Sequence, residues 1–197
     1  IGTWFGKGST QIWFEHVPLN STITLVDRWD KFVSDEDLKG HKSLNPISYR
    51  KLISMNNLPF TALLSTLKEV FHIEKKRKDL RIITIRGKTC DVLTSLAENF
   101  YDLIYIDGSH YYKDVKNDIQ MSKKIAKKSF SIICGDDYEF DFNPRLLEIA
   151  KKSIDKDFIE TEYGAFHPGI FLAIHDEFPK VNMKNGFWWI KNLKDRY

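Results

Sequence analysis

Four short apolar runs, separated by helical patterns, limit the fold of this chain more than any other feature. They are "TITLVDRW" (Thr22–Trp29), "RIITIRG" (Arg81–Gly87), "YDLIYIDG" (Tyr101–Gly108) and "FSIICGDD" (Phe130–Asp137). Each run is continuously apolar rather than alternating, which is typical of parallel strands covered by helices on both faces. We therefore predict an α/β fold with a doubly wound, mostly parallel sheet. The run "GFWWIKN" near the end predicts an antiparallel closing strand.

Helical patterns lie between these runs, and no repeat or low-complexity linker interrupts them. Helices are predicted around residues 47–55, 61–71, 89–100, 112–128, 143–154 and 171–178, with a polar loop over 34–46. We predict a single domain over residues 1–197. The chain begins with isoleucine directly before a glycine loop, so we expect the strand that feeds this loop upstream of residue 1.

Composition excludes several classes of protein. The chain has 197 residues, of which 42% are apolar, and a net charge of +3. This charge is too small to predict nucleic-acid binding, and no apolar run approaches the ~20 residues of a membrane span. Cys90 and Cys134 lack metal-type spacing, which favours a reducing environment. We expect a cytoplasmic protein, and a homo-oligomer is compatible with the sequence.

The chain opens with a glycine-rich loop, "IGTWFGKGST". Its spacing does not fit a phosphate loop, because only three residues separate Gly2 from Gly6 and because Gly8 follows Lys7. The dinucleotide pattern G-x-G-x-x-G does not fit either. Asp27 ends the next predicted strand, where a carboxylate can accept hydrogen bonds from both ribose hydroxyls. Loop and acid indicate a nucleoside-containing cofactor; a plain turn and an ordinary strand-end acid are the simpler alternative.

Acidic residues follow the next two predicted strands. Asp107 ends one strand, and Asp136 and Asp137 end the other. Adjacent parallel strands lie about 4.8 Å apart, so three carboxylates there repel one another unless a cation binds. An all-oxygen ligand set favours Mg²⁺, Mn²⁺ or Ca²⁺ over zinc. His110 lies three residues after Asp107. A neutral imidazole at this position could act as a general base. The alternatives are N-capping by Asp107, a turn at "GDDY" and a structural histidine.

Five stretches together resemble a known family. They are "IGTWFGKGS", "VDRWD", "IRGKT", "YIDGSHYYKDVKNDI" and "CGDDY". They resemble the class I, metal-dependent S-adenosylmethionine O-methyltransferases, and are most similar to the branch that acts on sugars of macrolide and aminocoumarin antibiotics. Catechol O-methyltransferase is a more distant relative. The resemblance covers residues 1 to about 138 and implies a Rossmann-like methyltransferase sheet.

The resemblance implies a role for each matching residue. S-adenosylmethionine would be held by Gly2, Thr3, Trp4 and Gly6 at its methionine moiety, Asp27 at its ribose hydroxyls, Trp29 near its adenine, and Gly87, Lys88 and Thr89 at the adenine rim. A divalent cation, Mg²⁺ first of all, would be bound by Asp107, Asp136 and Asp137. His110 takes the general-base position, where some relatives have a lysine. The expected reaction is methyl transfer to a hydroxyl of a sugar, glycan or other vicinal-diol small molecule.

The chain departs from the family pattern at three places. Gly8 stands where a hydroxyl residue commonly opens the first helix, with Ser9 next to it. Residues 34–80 match poorly. Residues 139–169 read as an insertion. The last two segments would border the acceptor site, so the acceptor stays undefined.

Two other classes of function stay open. The first is a metal-dependent hydrolase or hydroxylase on the same fold. The cofactor loop argues against hydrolysis, and the lack of an evident two-His-one-carboxylate set argues against non-haem iron. The second is a non-catalytic cofactor-binding module, which predicts a degenerate site, whereas the three acids and His110 are all present.

Overall fold

Two compact units make up the chain. The computed structural model describes residues 1–30 and 57–191, and contacts divide the chain into Ile1–Thr89 and Cys90–Tyr197. The loop predicted over 34–46 and the helix predicted around 47–55 lie outside the described residues. The single domain predicted over 1–197 stays a prediction.

The first unit pairs two parallel strands with two helices. Its elements are α1 (Ser9–His16), β1 (Thr22–Asp27), α2 (Leu58–Lys76) and β2 (Arg81–Arg86). β1 and β2 run parallel, with Thr22 opposite Arg81 and Asp27 opposite Arg86, so both strand predictions are confirmed. Helices and strands bury a shared apolar cluster, which removes their inner faces from water. It contains Phe14, Leu25, Val70 and Leu80.

The second unit contains a four-stranded mixed sheet. The elements of this unit are α3 (Thr89–Leu93), β3 (Leu103–Ile106), α4 (Tyr112–Ile125), β4 (Ile132–Tyr138), α5 (Pro144–Lys152), β5 (Ile159–Thr161), β6 (Gly164–Phe166), α6 (Pro168–Glu177), β7 (Asn182–Lys184) and β8 (Gly186–Lys191). The helix α3 begins at Thr89, the last residue of the first unit. The strand order is β3-β4-β8-β7. β3 is parallel to β4, and β8 is antiparallel to it, as predicted for "GFWWIKN". The three-residue strands β5, β6 and β7 were not predicted.

The helix predicted over 89–100 is too long. It ends at Leu93, because hydroxyl side chains compete with the helical backbone pattern. Thr94 Oγ1 and Ser95 Oγ both donate to the carbonyl of Asp91, at 2.8 and 3.2 Å. Backbone bonds from Ser95 to Val92 and from Leu96 to Leu93 tighten the turn to a three-residue spacing.

A bulge at the end of β4 sets the direction of two acidic residues. The register between β4 and β8 shifts between Gly135 and Tyr138, and Asp137 has a left-handed φ of 63°. Such a bulge turns a side chain away from its regular alternation. A Cβ at Gly135 would lie 2.4 Å from the carbonyl oxygen of Ile106, so glycine is needed where β4 meets β3.

Asp118 is a buried acid in α4. Its side chain is 4% exposed, and burial raises its pKa from 3.8 to about 7. Folding therefore favours the protonated carboxyl. This contribution is complete below about pH 4 and is lost as the pH rises through 7.

Replacing Asp118 by asparagine should therefore raise stability at pH 8. A rise in pKa from 3.8 to about 7 corresponds to a gain on the order of 4 kcal/mol in the free energy of unfolding. Urea unfolding at pH 4 and pH 8 measures this difference in the free energy of unfolding. Glu148→Gln, at an exposed residue of α5, is the matched control. An equal effect of Asp118→Asn at both pH values would contradict the prediction.

Among residues 1–30 and 57–191, no helix combines the length and apolar character that a membrane crossing needs.

Candidate active site

Asp27 organises the glycine loop of the first unit. Its Oδ2 accepts hydrogen bonds from the backbone N–H groups of Thr3 and Trp4, each at 2.7 Å. Its Oδ1 accepts from the N–H of Trp29, also at 2.7 Å. The backbone N–H of Gly87 donates to the Asp27 carbonyl at 2.9 Å. The carboxylate thus joins the glycine loop to the segment that follows β1, and its predicted bond to ribose stays a prediction.

Gly6 lets the loop lie directly on α2. It has a φ of +68°, and a Cβ there would lie 2.8 Å from Thr66 Cα. Trp29 closes the same region and is 0% exposed. Its indole N–H donates to the carbonyl of Trp4 at 2.8 Å. The indole ring of Trp29 is enclosed by the protein. Its predicted contact with adenine stays a prediction.

Thr3 carries a buried hydroxyl that has no hydrogen-bond partner within residues 1–30 and 57–191. Among the described residues, its Oγ1 makes no hydrogen bond, although the side chain is only 6% exposed. A buried polar atom costs stability unless a ligand or water pairs with it. Gly2, beside it, has a left-handed φ of 77°. The predicted methionine end of the loop therefore contains a hydroxyl that the protein shields from solvent, while Lys88 is exposed and Thr89 begins α3.

The predicted acids of the second unit have different surroundings. Asp107 follows β3, and its Oδ2 accepts from the Tyr105 hydroxyl at 3.0 Å. Burial raises the pKa of Asp136; the N–H of Asp137 partly offsets this, and the charges of Asp137 and Glu139 raise it further. Burial alone would raise the pKa of Asp137, but the hydrogen bond and charge of His110 bring it below its ordinary value.

His110 lies between two carboxylates. Its Nδ1 is 2.8 Å from Asp157 Oδ1, and its Nε2 is 3.4 Å from Asp137 Oδ2. Burial lowers the pKa of His110, but bonds to Asp137 and Asp157 outweigh burial and raise it to about 10. The imidazole is therefore charged at neutral pH without a bound cation, whereas the sequence led us to expect a neutral ring.

The segment predicted as an insertion supplies three further residues. Asp157 holds His110, and Glu139 holds His167 through two contacts, at 2.6 Å to Nδ1 and 3.2 Å to the backbone N–H. The two imidazole rings meet edge to face, with centroids 4.4 Å apart. Sequence reasoning missed all three residues. Their only signal was a run of acids and a histidine before "PG", without a family motif.

Two overlapping groups of side chains place their ligand atoms within 4.8 Å of one another. One contains Asp137, Glu139 and His167, and the other contains His110, Asp157 and His167. Among the described residues, no such group includes Asp107 or Asp136. The three-acid metal site stays a prediction. The second group is a two-His-one-carboxylate set, so the argument against iron from its absence was wrong.

Comparison with known proteins decides the family. A family model described as a methyltransferase domain matches residues 1–138. The chain belongs to this family. A methyltransferase domain implies S-adenosylmethionine as the methyl donor, and the predicted α/β, Rossmann-like fold with an antiparallel closing strand is confirmed. No curated protein sequence matches the methyltransferase.

One solved structure, a protein from Corynebacterium glutamicum determined as a structural genomics target, is similar to this methyltransferase over 72% of this chain and 70% of that chain. The identity is 10% and the TM-score is 0.39, which is too low to support a further conclusion. The family match ends at residue 138, so Glu139, Asp157 and His167 lie beyond it.

Proposed function

We propose that this methyltransferase transfers a methyl group to a hydroxyl of a sugar or another vicinal-diol small molecule, with a divalent cation and His110 as the base. The observation that carries the proposal is the placement of His110 between Asp137 and Asp157, at 3.4 and 2.8 Å. A histidine held by a carboxylate in a methyltransferase domain is suited to take a proton from a hydroxyl.

The first unit fits the cofactor. The Thr3 hydroxyl, which has no partner in the part of the chain that the structure describes, is a candidate donor to the carboxylate of a bound methionine moiety. The left-handed Gly2 and Gly6 let the backbone approach a ligand closely. S-adenosylmethionine supplies an electrophilic methyl group, and the loop residues Gly2, Thr3, Trp4 and Gly6 would hold its methionine end.

The second unit fits a divalent cation. Asp137 belongs to the predicted set with Asp107 and Asp136, and also to the gathered group with Glu139 and His167. A bound divalent cation lowers the pKa of a hydroxyl that binds it, and two neighbouring hydroxyls can bind together. This favours sugars and catechols as acceptors.

Asp157 determines which nitrogen of His110 is available. By holding Nδ1 at 2.8 Å, it leaves Nε2 as the atom that exchanges a proton with the acceptor. Asp137 stabilises the charged ring, so His110 can lose its proton near neutral pH only when the Asp137 charge is offset. The proposed base and the proposed cation therefore depend on each other.

The test combines binding with turnover. Calorimetry should show S-adenosylmethionine binding, and methyl transfer to vicinal diols should stop when a chelator removes the metal. Thr3→Val should weaken cofactor binding roughly tenfold, since it removes a hydrogen bond of about 1.4 kcal/mol.

The same variant should raise the thermal stability of the cofactor-free protein, because a buried partnerless hydroxyl is gone. Thr61→Val, at an exposed threonine of α2 outside the loop, should change neither quantity. Cofactor binding without transfer to any hydroxyl acceptor, or full transfer in chelator, would exclude the proposed reaction.

A further inference from the structure

Three side chains, only one of which belongs to the predicted acid set, point to the kind of metal that this site binds. Asp137, Glu139 and His167, here called the His167 cluster, place one ligand atom each within 4.8 Å of the others. Two of the three lie after residue 138, where the family match ends. We propose that the His167 cluster binds a divalent first-row transition metal, of the Mn²⁺, Fe²⁺, Co²⁺ and Zn²⁺ class, in preference to Mg²⁺.

The backbone fixes each member of the cluster. Asp137 lies at the bulge of β4 with its left-handed φ of 63°, and Glu139 follows directly after this strand. His167 is the residue that precedes the first turn of α6, whose residues Pro168–Ile174 are all buried. Ligand residues at the end of a strand or at the start of a buried helix are positioned more precisely than ligand residues on a loop.

The distances are suitable for closing around an ion. Ligand atoms at about 2.0 Å from a tetrahedral ion lie about 3.3 Å from one another. The ligand atoms of the cluster are separated by at most 4.8 Å. They would therefore have to approach one another by at most about 1.5 Å to bind such an ion. His167 is 13% exposed and Glu139 26% exposed, so the ligands are shielded while a path from solvent remains.

The charge balance favours a cation. Asp136, Asp137, Glu139 and Asp157 bring four carboxylates to one region, while His110 supplies one charged imidazole. The cluster itself contains two carboxylates, whose negative charges a divalent ion compensates. The alternative is that each histidine only pairs with its carboxylate and that no metal binds. The metal titration described below distinguishes these two possibilities.

The imidazole decides the class of metal. Mg²⁺ prefers oxygen ligands and keeps several waters, whereas an imidazole nitrogen suits Zn²⁺, Fe²⁺ and their neighbours. The second gathered group, His110, Asp157 and His167, adds another imidazole and a carboxylate around the same His167. Such hydrogen-bonded neighbours orient the ligands of a metal centre.

The experiment titrates metal-free protein with Co²⁺ and follows visible absorption, with Mn²⁺ electron paramagnetic resonance as a second readout. We expect one Co²⁺ per chain, not displaced by a hundredfold excess of Mg²⁺. His167→Gln should weaken Co²⁺ binding at least 100-fold. His175→Gln, the same change on the same helix away from the cluster, should leave binding unchanged. Glu139→Gln provides a second cluster variant, and circular dichroism checks the folding of each.

Three outcomes would overturn the proposal: no stoichiometric Co²⁺ binding, equal competition by Mg²⁺, or unchanged binding in folded His167→Gln and Glu139→Gln. Loss of binding in Asp107→Asn or Asp136→Asn alone would instead assign the ion to the three-acid set. The inference rests on the proposed function only for the presence of a cation. Intact Co²⁺ binding without methyl transfer would contradict the proposed reaction but would still support this metal site.

Discussion

His110→Gln is expected to lower kcat for methyl transfer by about 10²–10⁴-fold, the usual contribution of a positioned general base. Glutamine can donate its amide N–H to one of the two carboxylates, but its amide oxygen only accepts, and it cannot accept and release a proton at neutral pH. One of the two pairings, which lie at 2.8 and 3.4 Å in the unaltered protein, should therefore survive while proton transfer is lost. Single-turnover kinetics with saturating S-adenosylmethionine measures the effect.

The same experiment includes two controls. His72→Gln changes an exposed histidine of α2 and should leave kcat unchanged. Calorimetry should show that His110→Gln still binds S-adenosylmethionine and metal, because His110 belongs to neither predicted ligand set. A kcat within tenfold of the unaltered protein would remove His110 from the base role and leave it as a partner of Asp137.

The parts of the fold that follow from local patterns could be predicted. β1, β2, β3 and β4 lie in continuous apolar runs, and β1, β3 and β4 end within one residue of the predicted ends at Asp27, Asp107 and Asp137. The sequence also predicted His110 beside the acids. These features depend on residues close together in the chain, where periodicity and motif spacing are informative.

The surroundings of these residues could not be predicted. Asp157 meets His110 across 47 positions of sequence, and it lies just before a hairpin whose two strands have three residues each. Strands this short have no usable periodicity. Likewise, the bonds from Asp27 to Thr3 and Trp4 depend on a left-handed backbone at Trp4, which no apolar pattern reveals.

Gly169→Ala is expected to destabilise the protein by about 3 kcal/mol, toward the upper range for overpacking a tight interior. Its Cβ would lie 2.2 Å from the carbonyl oxygen of His110 and 2.5 Å from the backbone N of Tyr112. Both are backbone atoms, so no side chain can rotate away. Alanine gains up to about 1 kcal/mol of helix propensity over glycine, which is too little to offset the clash.

The measurement is urea unfolding followed by circular dichroism, together with kcat at a temperature where the variant stays folded. Gly8→Ala is the control for backbone strain without a clash: nothing lies within 4 Å of its added Cβ, and its φ of +62° with ψ of −123° should cost about 1–3 kcal/mol through the backbone alone. Because the clash falls on His110 itself, Gly169→Ala should also reduce kcat in the folded fraction. Unchanged or increased stability would mean that α6 and the loop of His110 can separate. The segment after residue 138 would then not hold the base in place.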